Sequence, residues 1–279
     1  MTQRKIIETL TAQPNAEGAG DAIHRVSGMQ HIGMDPILMI DEFRAEHTDE
    51  PGRGFPPHPH RGMQTLTYMK QGGIIHEDSL GNHGKISNGG AQWMSAGRGI
   101  IHSEVPTQSE QGLHGFQLWI NLLASEKLSE PRYRDVNTED LGHWLGKGAE
   151  AVIISGQWQL DGDMLEGPLE ELANYVAIMD LSLAPGIQIE IPISTKENLI
   201  GYVYSGRVEL QGSKIIERQM LITGEGDELA FTAGESGANL LLMRGLPLRE
   251  PVVHYGPFVM NTNKEIESTL RDYQSGRFP

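Results

Sequence analysis

The sequence predicts an all-β fold: two tandem domains of short strands, followed by a short C-terminal helix. Three observations carry this. Glycine supplies 34 of the 279 residues, about 12% of the chain against a usual ~7%. It recurs as punctuation, at Gly72-Gly73, Gly89-Gly90, Gly97, Gly99, Gly206, Gly212, Gly224 and Gly226. Between these stops lie apolar or alternating runs of strand length, the pattern of a β-sandwich or barrel.

In the first half the runs are "DPILMIDEF" (35–43), "TLTYMK" (65–70), "GGIIHED" (72–78), "GGAQWMSA" (89–96), "GIIHSEV" (99–105) and "HGFQLWINL" (114–122). A short turn is expected near residues 2–12. The segment 124–150 is polar and reads as strand-poor, a connection between domains. The second half resumes with "AVIISG" (151–156), "YVAIMDLSL" (175–183), "IQIEIPI" (187–193), "NLIGYVYSG" (198–206), "RVELQG" (207–212), "QMLITGEGDELAF" (219–231) and "NLLLMRG" (239–245). "IQIEIPI" has a clean period of two. Both halves place a glycine turn before a late strand, which suggests an internal structural repeat. The tail 262–278 reads as a helix, with Thr262 or Asn263 as N-cap, a stripe of Ile266, Leu270 and Tyr273, and Gly276 as stop. The expected division is therefore 1–135, a linker 136–150, a second domain 151–245, and a tail 246–279 packing back on the barrels.

Composition excludes several classes of function. Net charge is −15, from 22 Lys+Arg against 37 Asp+Glu, with no basic cluster, so direct nucleic-acid binding is disfavoured. No run of 18 apolar residues reads as a membrane span. The N-terminal residues lack the pattern of a secretory signal, and cysteine is absent, which excludes disulfides and thiolate ligands. Both fit the cytoplasm. A monomer is expected, because two domains with a covering tail can bury their own sheet edges.

Any metal must then be held by histidine and carboxylate. In "GFPPHPHRGMQTLTYM" (54–69), His58 and His60 stand at i and i+2, on one face of an extended segment and ~6.6 Å apart along it. "GIIHSEV" repeats the spacing with His102 and Glu104. On neighbouring strands, ~4.8 Å apart, the four side chains would converge. Three imidazoles and a carboxylate suit Fe(II), Mn, Ni, Cu or Zn better than Ca or Mg. An H-x-H pair alone is weak evidence in a chain with 11 histidines, and a turn pair between prolines is the alternative. Residues 144–253 contain no histidine, so the second domain cannot host an equivalent site.

The string "HPHRGMQTLTYM…GGIIHEDSLGNHGKISNGGAQWMSAGRGIIHSE" resembles the pirins, a branch of the cupin superfamily. The likeness continues in "DPILMIDEF", "HGFQLWINLLASEKLSEPRY" and "GLPLREPVVHYGPFVMNTNKEI". It implies a bicupin, two tandem double-stranded β-helix (jelly-roll) barrels, with a mononuclear iron in the N-terminal one. By motif position the ligands would be His58, His60, His102 and Glu104. The resemblance also implies quercetin 2,3-dioxygenase activity, opening a flavonol's central ring with O2 and releasing carbon monoxide. In that scheme Glu104 is the catalytic base. Many pirins carry an acidic residue where this chain has Gln64, a difference expected to act on hydrogen bonds behind the ligands and on substrate preference.

Other neighbours are open between two roles. His76 is either a residue behind the ligands or a surface one. Phe55, Met63, Trp93, Met94 and Trp119 line an aromatic-substrate pocket or fill the core, and His114 is a pocket residue or a strand start. Arg61 and Arg98 bind a substrate anion or pair with an acid. The alternative to catalysis is an iron-dependent regulatory protein that binds a protein partner, as a transcription or metabolic co-regulator. A cupin isomerase or small-molecule binder using another divalent metal is a third reading.

Overall fold

The computed structural model describes residues 2–15, 22–46, 54–109 and 112–278. Contacts divide the chain into two units. The N-terminal unit gathers Pro14–Met29, Ile37–Glu139 and Leu248–Pro279; the C-terminal unit gathers Met1–Gln13, Gln30–Pro36 and Asp140–Pro247. The expected division was into contiguous blocks, whereas here each unit takes a segment from the far end of the chain.

The N-terminal unit has two antiparallel sheets. The larger runs Arg132–Val136, Ala91–Ser95, Met63–Gln71, Leu113–Asn121, Ile37–Ala45, Ala22–Ser27, Gln13–Asn15. The smaller runs Phe55–His60, Ile100–Pro106, Ile74–Asp78, His83–Ile86. Ile23, Phe43, Met69 and Leu113 of the larger sheet pack with Ile74 and Ile86 of the smaller. This is two-layer packing, each strand turning alternate residues inward.

The C-terminal unit is built on a nine-stranded antiparallel sheet. Its main core cluster is apolar, with Ile153, Leu160, Met179, Val208, Phe231 and Leu240 among its residues. Strands Asn198–Leu210 and Glu228–Gly245 each run through positions expected to break them. Gly206 (φ 72°) and Gly237 (φ 77°) bend them together instead. A Cβ on Gly206 would lie 2.2 Å from the Gly237 carbonyl oxygen, so no side chain fits there.

Two expectations are corrected. Residues Ile6–Thr11 form a strand paired with Gln219–Thr223, not a turn. The segment 124–150 is not strand-poor: Arg132–Val136 pairs with Ala91–Ser95, and Gly142–Gly146 pairs with Ala149–Ser155. All three are edge or near-edge strands with polar, solvated residues, and this hides their alternation. The helix spans Asn263–Gln274, capped by Thr262, whose hydroxyl accepts from the Glu265 amide at 3.3 Å. It buries Ile266 against Phe258 and Met260. Among the described residues no helix is long and apolar enough to cross a membrane.

Candidate metal centre

Strand Phe55–His60 holds three prolines, which a central strand would not tolerate; it lies at the edge of the smaller sheet. It pairs with Ile100–Pro106 so that His58 faces His102 and His60 faces Ile100. The three imidazoles close into a triangle, with ring centroids 4.8 Å (His58–His60), 4.4 Å (His58–His102) and 5.0 Å (His60–His102) apart. One nitrogen from each lies within 4.8 Å of the others. The edge of Trp119 covers His60, centroid to centroid 5.3 Å.

His58 is half-buried, and its Nδ1 faces the Pro56 carbonyl at 2.9 Å, leaving Nε2 free. His60 and His102 are buried. Neither ring nitrogen of His60, nor Nε2 of His102, has a partner. Buried polar atoms are almost always satisfied, so these nitrogens call for a ligand. Burial pushes both imidazoles well below the ordinary histidine pKa; His58 adds to this for His60, as do His60, His58 and His76 for His102. They are therefore neutral near pH 7, the form a metal requires. Among the described residues this is the one cluster of three or more His, Asp or Glu with ligand spacing. A borderline transition metal fits it.

Glu104 is buried beside the triangle but outside that 4.8 Å set. Its Oε1 accepts from Thr67 Oγ1 (3.1 Å) and its Oε2 from Gln117 Nε2 (2.8 Å). Sequence reasoning passed over Thr67 and Gln117. The inward alternation of Gln117 and Trp119 on their strand was the available signal.

The remaining candidates separate clearly. His76 is fully buried, opposite Glu104 on the adjoining strand, with Nδ1 3.4 Å from His102 Nδ1. Phe55 packs at the rim, 6.0 Å from the His58 ring. Met63 packs with Leu38 and Val259. Strand alternation turns Gln64 and Trp93 to the face opposite Thr67 and Gln92. Arg61 donates to Asp272 (3.0 Å), Thr269 (3.3 Å) and the Arg98 carbonyl (2.5 Å). It is thus an anchor for the C-terminal helix, paired with an acid. Arg98 pairs with Glu130 at the surface. His114 pairs with Glu42 at 2.9 Å on the face away from Gln117.

An unforeseen support follows His60. Lys127, 1% exposed, donates from Nζ to Gly62 O (2.7 Å), Asn121 Oδ1 (2.6 Å) and Val259 O (3.1 Å). The Val259 amide in turn donates to the Arg61 carbonyl at 3.0 Å. The C-terminal segment thus clamps Arg61 and Gly62, the two residues that follow His60.

Residues 20–120 match the family described as Pirin, and residues 178–279 match its C-terminal cupin domain. A Vibrio cholerae protein named "Putative quercetin 2,3-dioxygenase" is 42% identical over 277 residues, covering 99% of this chain and 98% of that one. The human protein named Pirin is 36% identical over 284 residues, covering 99% and 94%. Among solved structures, a quercetin 2,3-dioxygenase from Acinetobacter baumannii superposes with a TM-score of 0.89 at 27% identity, covering 99% and 98%.

Proposed function

This chain belongs to the pirin family, and on that premise we propose that it is a mononuclear iron dioxygenase opening the central ring of flavonols such as quercetin. The observation that carries the proposal is the triangle of His58, His60 and His102, in which His60 and His102 are buried with unpartnered ring nitrogens. These residues would hold the ion, with Glu104 completing an N3O set. When bound, the ion supplies Lewis-acid stabilisation of the flavonolate and a route for electrons to O2.

The chain's own residues do the rest. Glu104 takes the proton of the flavonol hydroxyl. Thr67 and Gln117 aim its carboxylate by donating to its two oxygens. Trp119 and Phe55 present aromatic surface beside the ligands, which suits a planar substrate and keeps water from the reacting atoms. The relatives' names support this reading, as does the absence of histidine from residues 144–253, which leaves a single chemical barrel.

A second reading is favoured by the net charge of −15: an iron-dependent regulator whose partner is a protein rather than a nucleic acid. One experiment separates the two, O2 consumption with quercetin by iron-loaded protein, run beside His102→Ala. The dioxygenase reading expects turnover in the wild type and none in the variant. Normal activity of His102→Ala would sink the site assignment, and an inert, fully metallated wild type would favour the regulator.

A further inference from the structure

An imidazole that holds a metal through one nitrogen almost always donates the proton on the other to an acceptor. For His58 that acceptor is the Pro56 carbonyl, 2.9 Å from Nδ1. For His102 the atom facing Nδ1 is another imidazole nitrogen, Nδ1 of His76, at 3.4 Å. His76 has its Nε2 3.4 Å from Asp78 Oδ2, and both side chains are fully buried. These contacts are long for hydrogen bonds; with an ionised Asp78 and a singly protonated His76 they admit one arrangement. A carboxylate only accepts, so the His76 proton sits on Nε2, and Nδ1 is left bare. It can then only accept from His102, which places the His102 proton on Nδ1 and bares Nε2. That nitrogen is the unpartnered one in the ligand triangle.

The surroundings hold His76 in place. The Tyr133 ring lies over it, centroids 4.6 Å apart at 31°. The Tyr133 hydroxyl accepts from Gln92 Nε2 at 2.8 Å. Asp78 is fixed in turn by the amides of Leu80 (2.9 Å) and Asn82 (3.0 Å), which donate to its Oδ1.

We propose that His76, backed by Asp78, is a positioning residue that fixes the tautomer of His102 and so presents its Nε2 lone pair to the metal. This rests on the reading of His58, His60 and His102 as the metal centre. A ring that merely filled space would be replaced better by phenylalanine than by glutamine. A proton acceptor is replaced by glutamine, through its carbonyl oxygen, and not by phenylalanine.

The test titrates nickel(II) alone into metal-free wild type, His76→Phe and His76→Gln, in competition with a chromophoric chelator. We expect His76→Phe to lose about 10–100-fold in affinity, with His76→Gln returning to within about threefold of wild type. Wild-type affinity in His76→Phe overturns the proposal. If either variant fails to fold, 15N histidine spectra of the metal-free wild type decide: His102 protonated at Nδ1 supports the proposal, and at Nε2 refutes it. A wild type that binds no nickel would overturn the metal-centre reading beneath it, a result distinct from the others.

Discussion

Replacing Lys127 with methionine removes one buried charge and tests whether the clamp behind His60 matters. The two side chains have similar length, so the cavity changes little, but Gly62 O, Asn121 Oδ1 and Val259 O all lose their donor. Each stranded acceptor costs about 1–3 kcal/mol. Against this stands the cost of the ammonium itself. Burial pushes the Lys127 pKa from 10.5 down to about 8, a fall that Glu250 and Glu265 resist. At ~1.36 kcal/mol per pKa unit, that is on the order of 3 kcal/mol recovered in the variant. Three acceptors together cost about 3–9 kcal/mol, so the net expectation at pH 7 is a loss centred on about 3 kcal/mol. For a unit of this size it lowers the melting temperature by roughly 5–10 °C.

Calorimetry of the metal-free protein reads this directly, with the C-terminal unit as an internal control. The pH dependence has a definite sign. Between about 8 and the ~10.4 of an unfolded lysine, the unfolded chain binds the extra proton, so wild-type stability gains on the variant as pH rises. An unchanged melting temperature together with unchanged nickel affinity would refute the clamp.

Three further outcomes are expected. His60 and His102 both titrate far below 6.5 when folded, whereas the unfolded chain takes up their protons near 6.5. The metal-free protein should therefore lose stability as pH falls below that point, with a slope approaching ~2.7 kcal/mol per pH unit in urea titrations. Gly84→Ala places a Cβ 1.9 Å from Tyr133 Oη; a cost of about 1–3 kcal/mol is expected, with weaker nickel binding as the ring over His76 shifts. Truncation after Asn261 removes Thr269, Asp272 and Phe278 from Arg61 and uncovers Phe258 and Met260. Its expected signature is a metal affinity reduced at least as far as in Lys127→Met, with the hydrophobic dye ANS bound at the exposed face.

The histidine triangle was legible because H-x-H and H-x-E use the one spacing a strand guarantees, and antiparallel pairing then set His58 opposite His102. What lies behind the ligands was not legible. Asp78, Tyr133, Lys127 and Asp272 matter through partners on other strands or the distant tail, and strand register is absent from local pattern. The polar edge strands at residues 6–11 and 132–136 were missed for a related reason: one solvated face leaves too few apolar residues to count. Glu104 shows the limit from the other side. Spacing placed it among the ligands, and only the fold reveals Thr67 and Gln117 holding its carboxylate.

The swapped ends of the chain constrain how this protein can be made. Leu248–Pro279 belong to the unit that carries the histidines, yet they are synthesised after the whole Asp140–Pro247 segment of the other unit. While the ribosome still encloses them, Lys127 has no Val259 to bind and Arg61 has no Asp272. The contacts around the histidine strand are therefore complete only once Val259 and Asp272 have been added and can fold back. For the same reason, expressing residues 1–139 alone should yield a fragment that has all three histidines in sequence and no clamp to hold them.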